Sequence, residues 1–281
     1  MKSLRRNLKS LQKPFVNGSS TLSPSATLIH EDGDREHVDE HGDPDGGDND
    51  DWKGPIGLNL LHEPENPRVD LIFVHGLGGG SRKTWSLTKE MKHFWPKSWL
   101  PEDSAFENVR IYSFGYSSDW HKGKDSAMNI YDYGLLLLTA MELRPGFGAD
   151  DAYMLARLNP QYDDIAKRIS TFYFIATPHL GSDSAELLTK IFHAAYGSRS
   201  YVSDLERGSS TIRDINGQFR LYAGDLKLWS FYETLPLTVG FLSKIIVRQD
   251  FAVLGYGSEK QIPMTADHRS ICKFNSVADP N

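Results

Sequence analysis

Two stretches of the sequence carry residue types that could take part in catalysis. The first is Leu71–Trp85, LIFVHGLGGGSRKTW, in which four apolar residues lead into a histidine and a glycine-rich turn. The second is His268, within the polar segment SEKQIPMTADHRSICKF near the end of the chain. A glycine turn after a buried strand can hold a phosphate, a dinucleotide or the oxyanion of a reacting ester. Other residues must decide between these ligands.

Neither nucleotide-binding pattern is complete in this turn. A phosphate-binding loop needs glycine directly before its Lys-Thr pair, and Arg82 stands in that position. A dinucleotide fingerprint begins with Gly76 and Gly78, but Ser81 replaces its third glycine. We therefore expect no nucleotide cofactor.

An oxyanion-hole loop fits the turn better. In α/β-hydrolases a His-Gly turn after an early strand presents a backbone N–H to the developing negative charge. Glycine allows the backbone to approach a substrate closely. This interpretation assigns Gly76, Leu77 and Gly78 to the oxyanion loop. An ordinary glycine-rich turn between a strand and a helix remains the alternative.

His268 is in the right place to be the base of a hydrolase, because the chain order in that fold is nucleophile, acid, histidine. Asp250 lies toward the end of the predicted last strand, 18 residues before His268. It could fix the tautomer of the imidazole and stabilise the imidazolium, or it could be a solvent-facing carboxylate. Asp267 is a poorer candidate, because consecutive side chains usually point apart.

Alternating strands and helices must position these residues. The predicted strands are Val69–His75, Val109–Tyr116, Ile169–Thr177 and Lys244–Val253. The predicted helical segments are Trp85–Phe94, Ala127–Leu143, Asp150–Leu158, Ile165–Arg168 and Ser184–Tyr196. This alternation is typical of an α/β fold with a mainly parallel sheet flanked by helices.

Charge and composition divide the chain of 281 residues into two parts. Residues 1–30 carry five bases and no acid, and residues 31–51 carry 11 acids and one arginine. We predict a disordered tail at 1–51, basic and then acidic, and one domain at 52–281. The domain is nearly neutral, which argues against nucleic acid as a partner.

Cysteine usage and hydropathy narrow the class of protein further. The single cysteine, Cys272, excludes an internal disulfide framework and fits an intracellular, reducing compartment. No apolar run approaches the roughly 20 residues of a membrane span. No group of Cys and His residues has zinc-site spacing, so we expect neither a metal nor a cofactor.

Four stretches together resemble one family. They are DLIFVHGLGGGSRKTWS, WLPEDSAFENVRIYSFGYSSDW, LARLNPQYDDIAKRISTFYFIATPHLGSDSAELL and AVLGYGSEKQIPMTADHRSICKFNS. The chain resembles the lipase/serine esterase-like α/β-hydrolases of the serine-active-site-containing type, in particular their fungal N-terminal-domain versions. Leu180, where the family usually has Arg, and Phe251, where it has a small residue, depart from the pattern.

The resemblance implies an acyl hydrolase that acts on lipid or small ester substrates. His268 matches the family's histidine, and Asp250 is the best match for its acid. It also implies peripheral association with membranes of the mitochondrion or endoplasmic reticulum, with the cytosol as the alternative, and further domains in a longer chain. The chain ends at SVADPN, just after the histidine loop, which indicates a piece of something longer.

The serine nucleophile of such an enzyme is missing from the sequence. No G-x-S-x-G motif occurs, and GYSSD at Gly115–Asp119 is a strand end in the family pattern, which makes Ser117 a poor nucleophile. The elbow and its central strand belong after the helix that ends near Leu143, where the chain has only RPGFGADD. We interpret this loss as a gene-model error or a degenerate copy in preference to an adapted fold.

Two functions remain open on the sequence alone. The chain is either an esterase/lipase-like hydrolase domain that is inactive as written, or a non-catalytic hydrolase-shell module of a larger signalling or membrane-lipid-related protein. Because the serine is missing, the sequence leaves undecided whether the chain is an enzyme.

Overall fold

The protein was examined as a computed structural model. The structure describes residues 50–76, 78–117, 130–142, 162–179, 210–239 and 241–281. In chain order its strands are β1 Gly57–His62, β2 Val69–Val74, β3 Val109–Gly115, β4 Thr171–Ile175, β5 Lys227–Glu233, β6 Leu237–Val239, β7 Leu242–Lys244 and β8 Lys260–Met264. Its helices are α1 Asp50–Lys53, α2 Trp95–Ser98, α3 Ile130–Glu142, α4 Asp163–Ala166, α5 Ser210–Tyr222 and α6 Gln249–Ala252.

The described strands form two three-stranded sheets and a separate hairpin. The first sheet has the order β1-β3-β2, with β2 parallel and β1 antiparallel to β3. The second has the order β4-β5-β8, and both of its pairings are parallel. The hairpin consists of β6 and β7. With their flanking helices these mainly parallel sheets form an α/β-hydrolase-like fold, as the sequence predicted.

Two hydrophobic clusters join the sheets. In one cluster Phe73 of β2 packs with Ile175 of β4 and with Ala176, which directly follows β4. In the other, Phe114 of β3 packs with Phe172 of β4. Because side chains of a strand alternate between its two faces, these clusters cover both sides of the sheets. The two sheets therefore share one core.

Strands β2 and β4 are sheet edges within the part of the chain that the structure describes. Each pairs with one neighbour, β2 with β3 and β4 with β5, and no described strand lies between them. The central strand that the chain is predicted to lack would come between β3 and β4 along the sequence. The segment RPGFGADD, which stands in its place along the chain, lies outside the described residues.

The sequence predicted three strands of the sheets and missed three others. Its strands at Val69–His75, Val109–Tyr116 and Ile169–Thr177 contain β2, β3 and β4. It missed β1 and β8, whose polar residues interrupt the apolar pattern, and it also missed β5. The segment predicted as helix at Trp85–Phe94 contains only short 3-10 turns. The helices predicted at Asp150–Leu158 and Ser184–Tyr196 lie outside the described residues.

The predicted last strand, Lys244–Val253, is wrong. Lys244 ends β7, and Gln249–Ala252 forms the short helix α6. The apolar side chains of this run are buried in a third cluster, where Ile246 and Val247 pack with Leu237 of β6. The run is apolar because its side chains are buried in this cluster at the end of the second sheet. The last strand of the described chain is β8.

Candidate active site

A buried carboxylate meets the predicted base. Glu233, the last residue of β5, has a fully buried side chain, and its Oε2 lies 3.2 Å from Nδ1 of His268. The imidazole is 33% exposed. Neither atom has a hydrogen-bond partner in the described chain, so their contact is an ion-pair distance between two otherwise unpartnered atoms. With Nδ1 turned toward the carboxylate, Nε2 is the ring nitrogen left to exchange a proton.

Two neighbouring strand ends bring this pair together. Strands β5 and β8 are adjacent and parallel, so the segments after their carboxyl ends leave the sheet on the same side. Glu233 closes β5 and pairs with Met264, and His268 follows β8 by four residues. Backbone N–H groups of Thr234 and Leu235 donate to the carbonyl of Ala266 at 3.3 and 3.1 Å. These bonds tie the acid's strand to the histidine's loop.

The other oxygen of Glu233 is held by the backbone. The N–H of Val247 donates to Glu233 Oε1 at 2.5 Å. A buried carboxylate is costly unless hydrogen bonds or charge compensate it. Val247 satisfies one oxygen of the carboxylate, and the only described group facing the other is the imidazole of His268.

The structure places Asp250, the acid that the sequence suggested, away from this pair. Its side chain is 57% exposed, and its Oδ1 lies 3.2 Å from Nε of Arg248. Asp250 belongs to the first turn of α6. The sequence suggests Asp250 as the acid because it predicts Lys244–Val253 as the last strand. Because that run forms a bend and a helix, Asp250 does not lie at a strand end. The carboxylate beside His268 is that of Glu233.

Asp267 caps its own loop and does not hold the histidine. Its Oδ1 accepts hydrogen bonds from the N–H groups of Arg269 and Ser270, both at 2.9 Å, and from the hydroxyl of Ser270 at 2.8 Å. Such local bonds are typical of aspartate in turns. Asp267 thus fixes the backbone on both sides of His268.

The glycine turn follows β2 and has two distinct parts. Gly76 is exposed, a side chain there would meet nothing within 4 Å, and Gly78 has a φ of 71° that favours glycine. Gly80, by contrast, lies against α1, where an added Cβ would come to 2.3 Å from the carbonyl oxygen of Lys53. The backbone at Gly76 is thus open to a ligand. At Gly80 only a glycine fits, because α1 packs against it. Leu77 lies outside the described residues.

His75 is built into this turn. The backbone N–H of Tyr116 donates to His75 Nε2 at 3.2 Å, so the ring proton is on Nδ1 and donates to the carbonyl of Gly76 at 2.9 Å. The imidazole also stacks on Tyr116, with ring centroids 4.2 Å apart. Burial lowers the pKa of His75 to about 4. It is therefore a neutral residue that fixes Gly76, and not a proton carrier near pH 7.

A common cluster lies beneath both parts of the site. It contains Phe73 near the end of β2, Ala176 after β4, Met264 at the end of β8, and Ala266, which precedes His268 by two residues. The glycine turn and the acid–histidine pair therefore stand on the same block of core. Ala176 has a φ of 49°, unusual for a residue other than glycine, directly after β4.

The contacts of His268 among the described residues include no serine hydroxyl. Ser117 is exposed just after the end of β3, and its carbonyl accepts a hydrogen bond from the hydroxyl of Tyr133 at 2.9 Å. β3 is in the first sheet, whereas Glu233 and His268 follow strands of the second. The structure thus places the Glu233–His268 pair and the glycine turn over one hydrophobic cluster.

Sequence reasoning missed Glu233, although two signals were available. LWSFY, which precedes it, consists largely of apolar and aromatic residues that favour β-strand. An acid directly at the end of such a strand, ahead of a chain reversal at Pro236, is where α/β folds place functional side chains.

The described residues offer neither a metal-binding cluster nor a membrane-spanning helix. Among them no group of three or more His, Cys, Asp or Glu side chains is arranged to hold a metal ion. Their helices are also too short or too polar to cross a bilayer.

Comparison with known proteins finds similar sequences in vertebrates. Protein SERAC1 of Danio rerio is 28% identical over 258 residues, and that of Bos taurus is 29% identical over 256 residues. The human protein SERAC1 is 27% identical. In each case the match covers 77% of this chain and 38% of the relative, so this chain spans well under half of the relatives' length. No family model matches the sequence.

Solved structures of a bacterial lipase have a similar fold. The mature form of Bacillus licheniformis lipase BlEst2 aligns with a TM-score of 0.54 at 17% identity, covering 78% of this chain and 94% of that one. Its propeptide form gives a TM-score of 0.53 at the same identity. The chain therefore has an α/β-hydrolase fold, similar to that of this lipase. The relatives give no support to the fungal type that the sequence suggested.

Proposed function

We propose that this chain is the domain of a serine esterase/lipase-type acyl hydrolase in which Glu233 is the acid and His268 the base. The observation that carries the proposal is the buried carboxylate of Glu233, 3.2 Å from Nδ1 of the partly exposed His268 imidazole. The similarity to protein SERAC1 and to a bacterial lipase supports the same class of chemistry.

In this proposal each group has one step of the reaction. A serine hydroxyl facing Nε2 of His268 would give its proton to that nitrogen as it attacks the ester carbonyl. The carboxylate of Glu233 would stabilise the imidazolium, and the glycine turn at 76–78 would offer backbone N–H groups to the oxyanion. His268 would then protonate the leaving alcohol, and water would release the acyl group. Lipids and small esters are the substrates that we propose.

As written, the chain lacks the serine, and we propose that it does not turn over esters. Acid, base and oxyanion loop without a nucleophile leave only weak residual catalysis. The missing G-x-S-x-G motif also supports the second function, a non-catalytic hydrolase-shell module. This chain covers only 38% of its relatives, which fits a module of a longer protein. For the longer protein we propose an intracellular location at the mitochondrion or endoplasmic reticulum.

Fluorophosphonate labelling separates the two functions. The 281-residue chain should remain unlabelled. The transcript across Leu143–Tyr153 should then be sequenced, and any longer version that encodes a strand and a G-x-S-x-G elbow should be labelled. In that version His268→Ala should reduce labelling by at least about a hundredfold, as expected for loss of a general base.

The control for this experiment is Asp250→Asn, which should be labelled at the rate of the parent. Labelling of the present chain would contradict the missing nucleophile and would direct the search to another serine. A transcript that encodes the present sequence without an elbow would exclude the enzyme and leave the module.

A further inference from the structure

Three basic side chains, those of Lys83, Arg269 and Lys273, lie close together beside the candidate site. Lys83 opens the 3-10 turn that follows the glycine turn. Arg269 is exposed and is the residue directly after His268, and Lys273 follows four residues later. This basic cluster therefore takes its charges from both parts of the site, the glycine turn and the histidine loop.

Backbone hydrogen bonds fix the segments that carry the two lysines. The N–H of Gly80 donates to the hydroxyl of Thr84 at 3.1 Å, and the N–H of Thr84 donates to the carbonyl of Gly80 at 3.3 Å. These bonds hold Lys83 against the glycine turn. The N–H of Lys273 donates to the carbonyl of Ser270 at 2.8 Å, which turns the chain just after the histidine loop.

Buried aromatic rings join these two segments. Trp85, two residues after Lys83, packs edge-on against Trp95, with ring centroids 6.1 Å apart. Trp95 packs in the same way against Phe274, the neighbour of Lys273, at 5.2 Å. All three rings belong to the hydrophobic cluster beneath the site. The core of the domain therefore sets the place of both lysines.

Lys273 is half-buried among charges of its own sign. Burial lowers the pKa of its ammonium group, and the charges of Lys83 and Arg269 lower it further, while the carboxylate of Asp267 raises it. Within the described chain neither Lys273 nor Arg269 has an ion pair or a side-chain hydrogen bond. Like charges that are partly desolvated and unpaired are unfavourable. A bound anion would stabilise this arrangement.

The charge of the basic cluster selects the kind of anion. Three cations and the carboxylate of Asp267 leave an excess of two positive charges. The thiol of Cys272 adds none, because burial raises its pKa to about 12. A phosphate monoester carries roughly 1.5 to 2 negative charges at pH 7, whereas a phosphodiester carries one. Lysine and arginine are common phosphate-binding side chains. The monoester is therefore the better match.

We propose that Lys83, Arg269 and Lys273 bind the phosphate group of a phosphate monoester beside the candidate active site. This site does not need the missing serine, because it consists of charges that the described chain already holds. The substrate class that follows, which rests on the proposed function, is acyl esters that carry a free phosphate group, held with their acyl carbonyl toward His268.

Phosphorus NMR titration of the 281-residue chain tests the site with three probes: inorganic phosphate, glycerol 3-phosphate and dimethyl phosphate. The first two should bind at least about tenfold more tightly than the diester, because they bring a second charge to the cluster. Lys273→Gln and Lys83→Gln should each weaken the binding of glycerol 3-phosphate by about tenfold, since each removes one charged contact. Arg269→Gln should weaken it as well, and its exposed position leaves the fold intact.

The matched control is Lys227→Gln, because Lys227 is exposed at the start of β5, whereas Glu233 ends that strand. It should bind glycerol 3-phosphate like the parent. Residues 1–30 carry five bases and no acid, so they could attract phosphate themselves. If all three cluster variants bind like the parent, the tail or another surface holds the anion and the proposal is overturned.

The probes separate the remaining outcomes. Dimethyl phosphate that binds as tightly as glycerol 3-phosphate would overturn the monoester as the ligand. Glycerol 3-phosphate that binds more tightly than inorganic phosphate would support a phosphate carried by a substrate, whereas equal affinities would support free phosphate and overturn the substrate class. Binding is measured without turnover, so a failure here is distinct from a failure of the proposed hydrolase, which fluorophosphonate labelling detects.

Discussion

At the scale of single residues, the identity of the acid depended on one strand boundary. Asp250 and Glu233 are both carboxylates that precede His268 in the chain, as the hydrolase order requires. Their surroundings separate them: Asp250 is 57% exposed beside Arg248, whereas Glu233 is buried with the N–H of Val247 and the imidazole of His268. Only the buried carboxylate can orient the ring without competition from water.

The stability of two alanine variants distinguishes these carboxylates. Glu233→Ala should lower the free energy of unfolding by about 1–3 kcal/mol, because the buried N–H of Val247 loses its acceptor. Asp250→Ala should change it by no more than about 0.5 kcal/mol, since exposed ion pairs contribute little. Urea unfolding followed by circular dichroism measures both values. Equal losses in the two variants would contradict the assignment of Glu233.

At the scale of elements, the open question is what lies between β2 and β4. Both are edge strands among the described residues, yet a hydrophobic cluster joins Phe73 of β2 to Ile175 of β4. Edge strands present backbone groups on one side that invite pairing with other chains. The predicted loss of a central strand would therefore affect folding and aggregation as well as catalysis.

Hydrogen exchange reports how these edges are occupied. β3 and β5 are paired on both sides and should exchange slowly. About half of the amides of β2 and β4 should exchange faster, because alternate N–H groups point to opposite sides of a strand. Mass spectrometry of peptides covering the four strands measures the difference. Equal protection of all four would show that another segment of the chain, outside the described residues, pairs between them.

At the scale of the whole molecule, two buried histidines link stability to pH. Burial lowers the pKa of both His75 and His179 to about 4 from an ordinary value of 6.5. His75 fixes the glycine turn after β2. His179, after β4, donates its backbone N–H to the carbonyl of Phe251 at 2.8 Å, which connects it to α6. Both halves of the domain thus contain an imidazole that must stay neutral.

We expect the protein to lose stability in mild acid. Below pH 6.5 the unfolded chain takes up protons on these histidines, whereas the folded protein does not until pH approaches 4. Stability is therefore full above pH 6.5 and falls between 6.5 and 4, by up to about 1.4 kcal/mol per pH unit for each histidine. Urea unfolding at a series of pH values measures this slope.

The His179→Gln variant should remove its share of that slope whatever its stability at pH 7. His62→Gln, at the half-buried end of β1, is the matched control and should keep the slope of the parent. A parent chain whose stability does not change between pH 6.5 and 4 would show that the two imidazoles are hydrated in solution.

The sequence by itself determined the fold class and the absence of a G-x-S-x-G motif, and it predicted His268 as the base. Buried parallel strands such as β2, β3 and β4 are continuous apolar runs, which local pattern reveals. A motif such as G-x-S-x-G is contiguous, so its absence can be read directly from the chain. The α/β-hydrolase fold is confirmed, and His268 as the base stays a prediction.

Only the tertiary structure selected the partner of the base. Glu233 and His268 are brought together because β5 and β8 pair in parallel, and strand pairing depends on contacts far apart in sequence. The apolar run Ile245–Val253 carries no local sign of whether it enters a sheet or covers the end of one. The burial of Ile246 and Val247 with Leu237 shows that this run covers the end of a sheet. Glu233, and not Asp250, is therefore the carboxylate beside His268.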